Sequence, residues 1–350
     1  MSISSHNSTE QIDPALLAQA MALIGPARRI ALLAHEHPDG DCLGSVLGFA
    51  HILRQMGKTC VAACADPAPR SFSFLPGIEA LSNTLGDEDF DLVIALDAGE
   101  FSRYGALYTQ HRAYLDAATI LNIDHHISSE GCGQVNIIDP TSAATAELLV
   151  LFQSQAQLPL TKDAATCLLT GIITDTASFQ YSSTTARTLE AGAQLVQAGA
   201  VPETIVRPVF RVQPLAQVRL RSKVVDRIRT SAGGLLIWSY SDDEVLAETG
   251  ATPDMDDNIS GMLRDIEGVK IAAFFKNYGR PEITWLSLRT AEPYNAATIC
   301  QRYGGGGHAR AAGATIRMPM DKAMAMVVAE LEQEIEKAGA GFYGRDTEHQ

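Results

Sequence analysis

The sequence of 350 residues contains six cysteines, yet no two stand in the C-x-x-C spacing of a zinc ribbon or a thioredoxin-like redox site. Cys42, Cys60, Cys64, Cys132, Cys167 and Cys300 are therefore expected as free thiols, mostly buried. No uncharged apolar run approaches the ~20 residues that a membrane-spanning helix needs. The N-terminal stretch MSISSHNSTEQIDP lacks the basic-then-apolar pattern of a secretory signal, so the expectation is a cytoplasmic protein without membrane contact. Positive charge is also scarce. With 27 Lys and Arg against 41 Asp and Glu, the formal net charge is −14, which argues against a general binder of long nucleic acid. A short anionic substrate is not excluded, because metal ions and a few arginines reverse the potential inside one cleft. No repeat of fixed period is visible.

What is present is an ordinary globular composition, 46% hydrophobic and 19% charged, in a chain long enough for two domains. The first half alternates short apolar strands with helical patterns. RRIALLAH, KTCVAAC, FDLVIALDAG, ATILNIDHH and GQVNIID read as strands, and CLGSVLGFAHILRQMG, TAELLVLFQSQ and AATCLLTGIITDT read as helices. This is the βαβ rhythm of a mostly parallel sheet covered by helices, an α/β fold. After the helical GAQLVQAG, the proline-containing VPETIVRPVFRVQP reads as a linker. Beyond it GGLLIWSYS, VKIAAFFKNY and EITWLSLRT read as strands, and MDKAMAMVVAELEQEIEKAG as a closing helix of a smaller α/β domain. The expected boundaries are 1–190, a linker at 191–215, 216–341 and a frayed tail at 342–350.

Polar residues that ligate metals collect where the apolar segments end. AHEHPDGD brings His35, Asp39 and Asp41; LDAGEFSRYG brings Asp97; NIDHH brings Asp124, His125 and His126; and GIITDTASF brings Asp175. In a doubly wound sheet these ends share one rim, where ligands bind. A lone histidine or aspartate near a core is usually just hydrogen-bonded structure, but four such segments in register are hard to explain without a cation. Mixed imidazole and carboxylate without thiolate suits Mn²⁺, Fe²⁺, Co²⁺ or Zn²⁺. Six candidate ligands exceed one tetrahedral zinc, so a pair of ions bridged by one carboxylate is expected.

HEHPDGDCLGS, LDAGEFSRYG, NIDHH and ITDTASF, in this order, resemble the four motifs of the DHH phosphoesterases, and YGGGGHARAAG resembles the glycine-rich motif of their accessory DHHA1 domain. The resemblance covers nearly the whole chain. It implies that His35, Asp39 and Asp97 hold one divalent ion, most suitably Mn²⁺, and that Asp41, Asp97, His125 and Asp175 hold a second. It further implies that His126 meets the substrate as phosphate ligand or proton donor, with Asp124 orienting the histidines. Arg289, Arg103 and the run Gly304, Gly305, Gly306, Gly307, His308 are implied as substrate contacts, with Arg310 a weaker match. The compact two-domain form resembles the nano-RNase and pAp phosphatase subgroup, which acts on short oligoribonucleotides and adenosine 3′,5′-bisphosphate (pAp). A cyclic-di-AMP or pApA phosphodiesterase is the alternative within the family. A RecJ-like exonuclease is disfavoured by chain length and acidity, a family II pyrophosphatase by the GGGGH motif, and a non-catalytic nucleotide sensor by the complete ligand set. Oligomeric state is open, a homodimer included.

Overall fold

The computed structural model describes residues 11–86, 89–256 and 258–343, with side chains of the last helix described as far as residue 338. Most of the tail expected to fray, 344–350, lies outside the described residues. The chain divides into two compact units, the first ending at Val212 and the second beginning at Gln213.

The first unit is built on a five-stranded sheet in the order β2-β1-β3-β4-β5, every pair parallel. The strands are β1 Arg29–Ala34, β2 Thr59–Cys64, β3 Leu92–Leu96, β4 Ile120–Asp124 and β5 Val135–Ile138. Because side chains alternate across a strand, an unbroken apolar run serves two cores at once. Ile30, Leu32 and Ala34 of β1 enter one cluster with the long helices, whereas Ala31 and Leu33 enter the other with Tyr104, Leu107 and Leu115. The continuous hydrophobicity of RRIALLAH thus reports burial on both faces. Chain direction across the sheet reverses between β1 and β3, and the loops that leave these two strands diverge there.

The helices Gly40–Gln55 and Lys162–Asp175 form the closest helix pair of this unit. Gly40, Gly44 and Gly48 recur every four residues and so share one face. A methyl group on Gly44 would stand 2.4 Å from the Cys167 carbonyl oxygen, and one on Gly40 would stand 2.4 Å from the Thr174 side chain. Backbones can approach this closely only where side chains are missing. The helices run antiparallel, so the start of the first meets the end of the second.

The stretch expected as a linker is largely helical, with helices Ala186–Gln197 and Pro202–Val206 followed by a π-helical turn, Arg207–Arg211. The expected boundary at 190 falls inside the first of these. Leu195, Ala200 and Ile205 belong to the first unit's core, so the apolar spacing there served packing, and the prolines sit at helix starts where a missing N–H is harmless.

The second unit carries a six-stranded mixed sheet in the order β10-β11-β9-β8-β7-β6. Its strands are β6 Arg229–Ser231, β7 Leu236–Asp242, β8 Ile271–Asn277, β9 Thr284–Thr290, β10 Gly306–His308 and β11 Ala311–Ile316. Leu286 and Leu288 of β9 face a core completed by Val327 and Leu331 of the closing helix, Met320–Tyr343. On the other face Ile237, Ala272 and Phe274 pack with Leu220, Val224 and Leu263.

The glycine contact between the two long helices makes a direct prediction. Gly44→Val should lower the stability of the first unit by about 1–3 kcal/mol through overpacking. Urea unfolding followed by circular dichroism should show a reduced midpoint with an unchanged slope. An unchanged midpoint would mean that the helix pair tolerates separation.

Candidate metal centre

Three strand ends and one helix end supply the site. The turn after β1 carries His35 and Asp39, and Asp41 follows in the first turn of helix Gly40–Gln55. Asp39 caps that helix, its Oδ1 accepting from the Cys42 backbone N–H at 2.9 Å. Such capping fixes the entry of the chain into the helix and leaves the other carboxylate oxygen for the site. Asp97 follows β3, Asp124 ends β4, and Asp175 closes helix Lys162–Asp175.

These residues converge. His35 Nε2 lies 3.5 Å from Asp97 Oδ2 and 3.9 Å from Asp39 Oδ2. His125 Nε2 lies 3.3 Å from Asp175 Oδ2, 3.6 Å from Asp97 Oδ1 and 3.8 Å from Asp41 Oδ2. Asp97 therefore faces both imidazoles, one through each oxygen. Its backbone adopts φ 59°, the left-handed region that a non-glycine residue avoids unless its surroundings enforce it. The Thr145 hydroxyl donates to Asp97 Oδ1 at 2.8 Å.

Both rings turn Nε2 toward the carboxylates. His35 Nδ1 donates to the Glu36 carbonyl at 2.7 Å, and His125 Nδ1 donates to the Ser142 carbonyl at 3.2 Å. A carbonyl only accepts, so in each neutral ring the proton sits on Nδ1 and the Nε2 lone pair turns inward. Asp41 is fully buried and accepts from the backbone N–H groups of Thr145 at 2.6 Å and Ala146 at 2.9 Å.

Burial, reinforced by the neighbouring carboxylates, pushes the acids upward. Asp97 is raised well above the ordinary range, first by burial and then by Asp41, Asp39 and Asp175. Asp175 is pushed up to about 9 by burial and then by Asp41 and Asp39. Asp41 is raised as well, burial being the largest cause. Among the described residues, only histidines form ion pairs with Asp39, Asp41, Asp97 and Asp175. Buried carboxylates this close ionise together only against strong positive charge. The donor set, imidazole nitrogen plus carboxylate oxygen, fits divalent cations that accept both.

His126 differs from its neighbour. Its Nδ1 donates to Asp124 Oδ1 at 2.7 Å, and the same oxygen accepts the backbone N–H groups of His125 at 2.8 Å and His126 at 3.2 Å. The Asp124 contact raises the His126 imidazole above its ordinary value, burial opposing. Side-chain exposure of 45% leaves the ring accessible where His125 is 15% exposed. Arg103 is exposed on the short helix after β3 and acts on His126 electrostatically, in the sense that disfavours a charged ring.

Cys42 was not a candidate in the sequence, although its sulfur lies within ligand distance of His35 and Asp97. It accepts the His35 backbone N–H at 3.2 Å, and burial followed by Asp97 and Asp39 pushes the thiol far up. Fully buried, Cys42 lines the wall beside His35 and Asp97. The contributions of Ser142, Thr145 and Ala146 were also missed, since the run TSAATAEL carries no signal beyond the start of a helix.

In the second unit, Arg289 pairs across the sheet with Ala311, which in turn pairs with His308. Directly paired residues point to the same face, so Arg289 and His308 share the face opposite Leu286 and Leu288. Small side chains separate them. Two of the four glycines have a reason in strand pairing: a methyl on Gly305 would meet the Gly313 carbonyl oxygen at 2.1 Å, and one on Gly307 would meet the Ala311 carbonyl oxygen at 2.6 Å. Gly306 has open space, and Gly304 takes φ 72° in the turn before β10. Arg310 is engaged with Glu292 at 2.6 Å and with the Tyr294 carbonyl at 2.7 Å.

The first unit is thus a parallel α/β unit with imidazoles and carboxylates gathered at its rim, and the second carries a glycine-rich edge hairpin. Residues 29–172 match the DHH family N-terminal domain and residues 242–337 match the DHHA1 domain. The chain is 33% identical over 93% of its length, and 95% of the relative's, to the bifunctional oligoribonuclease and PAP phosphatase NrnA of Thermus thermophilus. It is 26% identical to the protein of the same name from Bacillus subtilis, over 82% of this chain and 89% of that one. An exopolyphosphatase-related protein from Bacteroides fragilis has the same fold, with a TM-score of 0.82 at 22% identity, covering 93% of this chain and 97% of that one. The chain belongs to the DHH family of phosphoesterases.

Removal of the central carboxylate and of the exposed imidazole should have different consequences. Asp97→Ala takes from both imidazole clusters the carboxylate they share, so elemental analysis should find little bound metal. His126→Ala should keep its metal while losing turnover by about 100-fold or more, the scale of a lost proton donor. Equal loss of metal in both variants would make His126 a ligand.

Proposed function

We propose that this chain is a metal-dependent phosphoesterase that hydrolyses short oligoribonucleotides and removes phosphate from pAp. The observation that supports this reading most is Asp97 set between His35 and His125, with Asp39, Asp41 and Asp175 around them and His126 beside them. That arrangement suits two divalent ions, most suitably Mn²⁺, one held by His35, Asp39 and Asp97 and the other by Asp41, Asp97, His125 and Asp175. The substrate class follows the relatives named oligoribonuclease and PAP phosphatase, which align with this chain almost end to end.

Bound divalent ions would supply a water nucleophile at neutral pH and neutralise charge on the phosphoryl group. The chain's own side chains have separate tasks. Asp97 and the two buried histidines fix the geometry, and the backbone N–H groups of Thr145 and Ala146 keep Asp41 turned into the site. His126 donates a proton from Nε2 to the departing oxygen, because its Nδ1 is committed to Asp124. Asp124 also holds that imidazole protonated to a higher pH than a free one, which suits an acid. Arg289, His308 and the open Gly306 position form a platform on the second unit for a phosphate or base of a short substrate, and Arg103 is a separate candidate substrate contact on the first unit.

A second reading rests on the cyclic-di-AMP phosphodiesterase PdeA of Listeria monocytogenes, 26% identical over 95% of this chain. This chain spans 50% of PdeA's length, so that activity would have to reside in the shared part. Release of mononucleotide or phosphate from pAp, pApA, cyclic-di-AMP and a five-residue RNA, each with Mn²⁺, separates the two. Fast pAp and RNA turnover supports the first reading; turnover confined to cyclic-di-AMP overturns it.

Two further outcomes are expected. Exhaustive chelation should abolish activity and Mn²⁺ should restore it better than Ca²⁺, whereas full turnover in the chelated protein would refute the metal reading. His308→Ala should lower kcat/KM for pAp by about ten- to a hundredfold, the equivalent of one charge-assisted contact of roughly 1.5–3 kcal/mol. A minimal ester such as bis-p-nitrophenyl phosphate, which offers no nucleoside or second phosphate to the platform, should lose little. Equal losses on both substrates would assign the effect to folding or metal.

A further inference from the structure

Behind the metal centre lies a buried charged cluster that the reaction does not touch. Arg187 stands in the first turn of helix Ala186–Gln197, where the helix dipole disfavours a cation. Its position is explained by what it meets. Arg187 Nε donates to Glu147 Oε1 at 2.5 Å, and Nη2 donates to Asp139 Oδ2 at 3.0 Å and to the Ser142 hydroxyl at 2.8 Å. Glu147 is 1% exposed, and its second oxygen accepts the Ala143 backbone N–H at 3.0 Å and the Thr188 hydroxyl at 2.9 Å. Asp139 binds Thr141 through one oxygen and the Ser142 hydroxyl, at 2.9 Å, through the other.

Most of these contacts grip one segment, residues 139–146, which follows β5 and enters the first turn of helix Thr145–Gln155. The opposite side of that segment touches the candidate metal ligands. The Ser142 carbonyl orients His125, the Thr145 and Ala146 N–H groups hold Asp41, the Thr145 hydroxyl holds Asp97, and the Asp139 N–H donates to the Asp124 carbonyl at 3.1 Å. The segment thus lies between a charged anchor and four residues of the site. A single loop that carries so many orienting contacts transmits any slack in its anchor to all of them at once.

We propose that Arg187 and Glu147 are positioning residues of this enzyme, which set the geometry of Asp41, Asp97 and His125 through the 139–146 segment without meeting metal or substrate. The proposal rests on the metal-dependent phosphoesterase reading and adds a structural determinant to it. Arginine is needed because its planar fork serves Glu147, Asp139 and Ser142 together, which a single ammonium cannot do. Contacts that orient metal ligands from behind typically affect metal affinity or activity by about 10–100-fold.

The test uses the full-length protein and two readouts. Wild type, Arg187→Met, Arg187→Lys and Ser142→Ala are titrated with Mn²⁺, free ion being followed by electron paramagnetic resonance, at a temperature well below each variant's melting transition. kcat and KM for pAp are then measured at saturating Mn²⁺. Arg187→Met should bind Mn²⁺ about 10–100-fold more weakly and lose kcat with KM little changed. Arg187→Lys should recover part of the loss, and Ser142→Ala should weaken Mn²⁺ binding severalfold in the same direction. Wild-type Mn²⁺ affinity in folded Arg187→Met and in Ser142→Ala overturns the proposal and leaves the cluster a role in stability alone. If Arg187→Met does not fold, Ser142→Ala decides by the same criterion. Wild type that holds no Mn²⁺ would instead refute the metal reading, and the proposal with it.

Discussion

The structure of the first unit turns on a concentration of negative charge in a place without water. Asp41 and Asp97 are almost wholly buried, Asp175 and Asp39 stand beside them, and the neighbouring carboxylates add to burial in raising the proton affinity of Asp97 and Asp175. Such a group is unstable as bare carboxylates, because burial removes the solvent that would screen them. Much of the surrounding architecture serves to hold it together. The Asp97 backbone is kept in a left-handed conformation, two helical N–H groups are directed at Asp41, and two histidines are locked by carbonyls with their free nitrogens inward. Divalent cations would resolve the repulsion, and the proposed chemistry depends on them.

Close helix packing is the second requirement, and it follows from the first. Asp41 opens one helix and Asp175 closes another, so the carboxylates come within reach of one imidazole only if the two helices lie unusually near. The glycine strip at 40, 44 and 48 permits that approach, and Gly171 extends it on the other helix: a methyl there would stand 2.5 Å from Asp41 Oδ1. Packing and function are coupled at the same residues. The charged anchor around Glu147 and Arg187 plays the corresponding part on the far side of the site, where a loop rather than a helix must be fixed.

The second unit handles charge in the opposite way. In a chain of net charge −14, a platform for anionic substrate needs local cations without bulky neighbours. Arg289 and His308 occupy one face of the sheet, with Ala311 between them and Gly306 at the edge. Small residues keep this face accessible while Gly305 and Gly307 let the edge strand lie against β11. One glycine run therefore meets a pairing requirement at Gly305 and Gly307 and leaves open space at Gly306.

The local sequence was sufficient for several of these features because local physics decides them. Apolar runs of strand length ending in His35, Asp97 and Asp124 were legible, since a strand buried on both faces must be apolar throughout and a ligand can appear only where it emerges. Family membership was legible from the order of the motifs. The segment at 191–215 was read as a linker because its prolines resemble loop residues when neighbours are unknown, whereas Leu195, Ala200 and Ile205 find partners only in the folded core. Cys42, Thr145 and Ser142 gave no signal because an ordinary thiol, hydroxyl or carbonyl acquires a role only through what stands opposite it. Glu147 and Arg187 are 40 residues apart, and Thr145 and Asp41 are 104 apart. The sequence by itself determined which side chains could bind a cation and which strands would carry them. Tertiary structure alone decided which oxygen faces which nitrogen, because those distances depend on packing between segments remote along the chain.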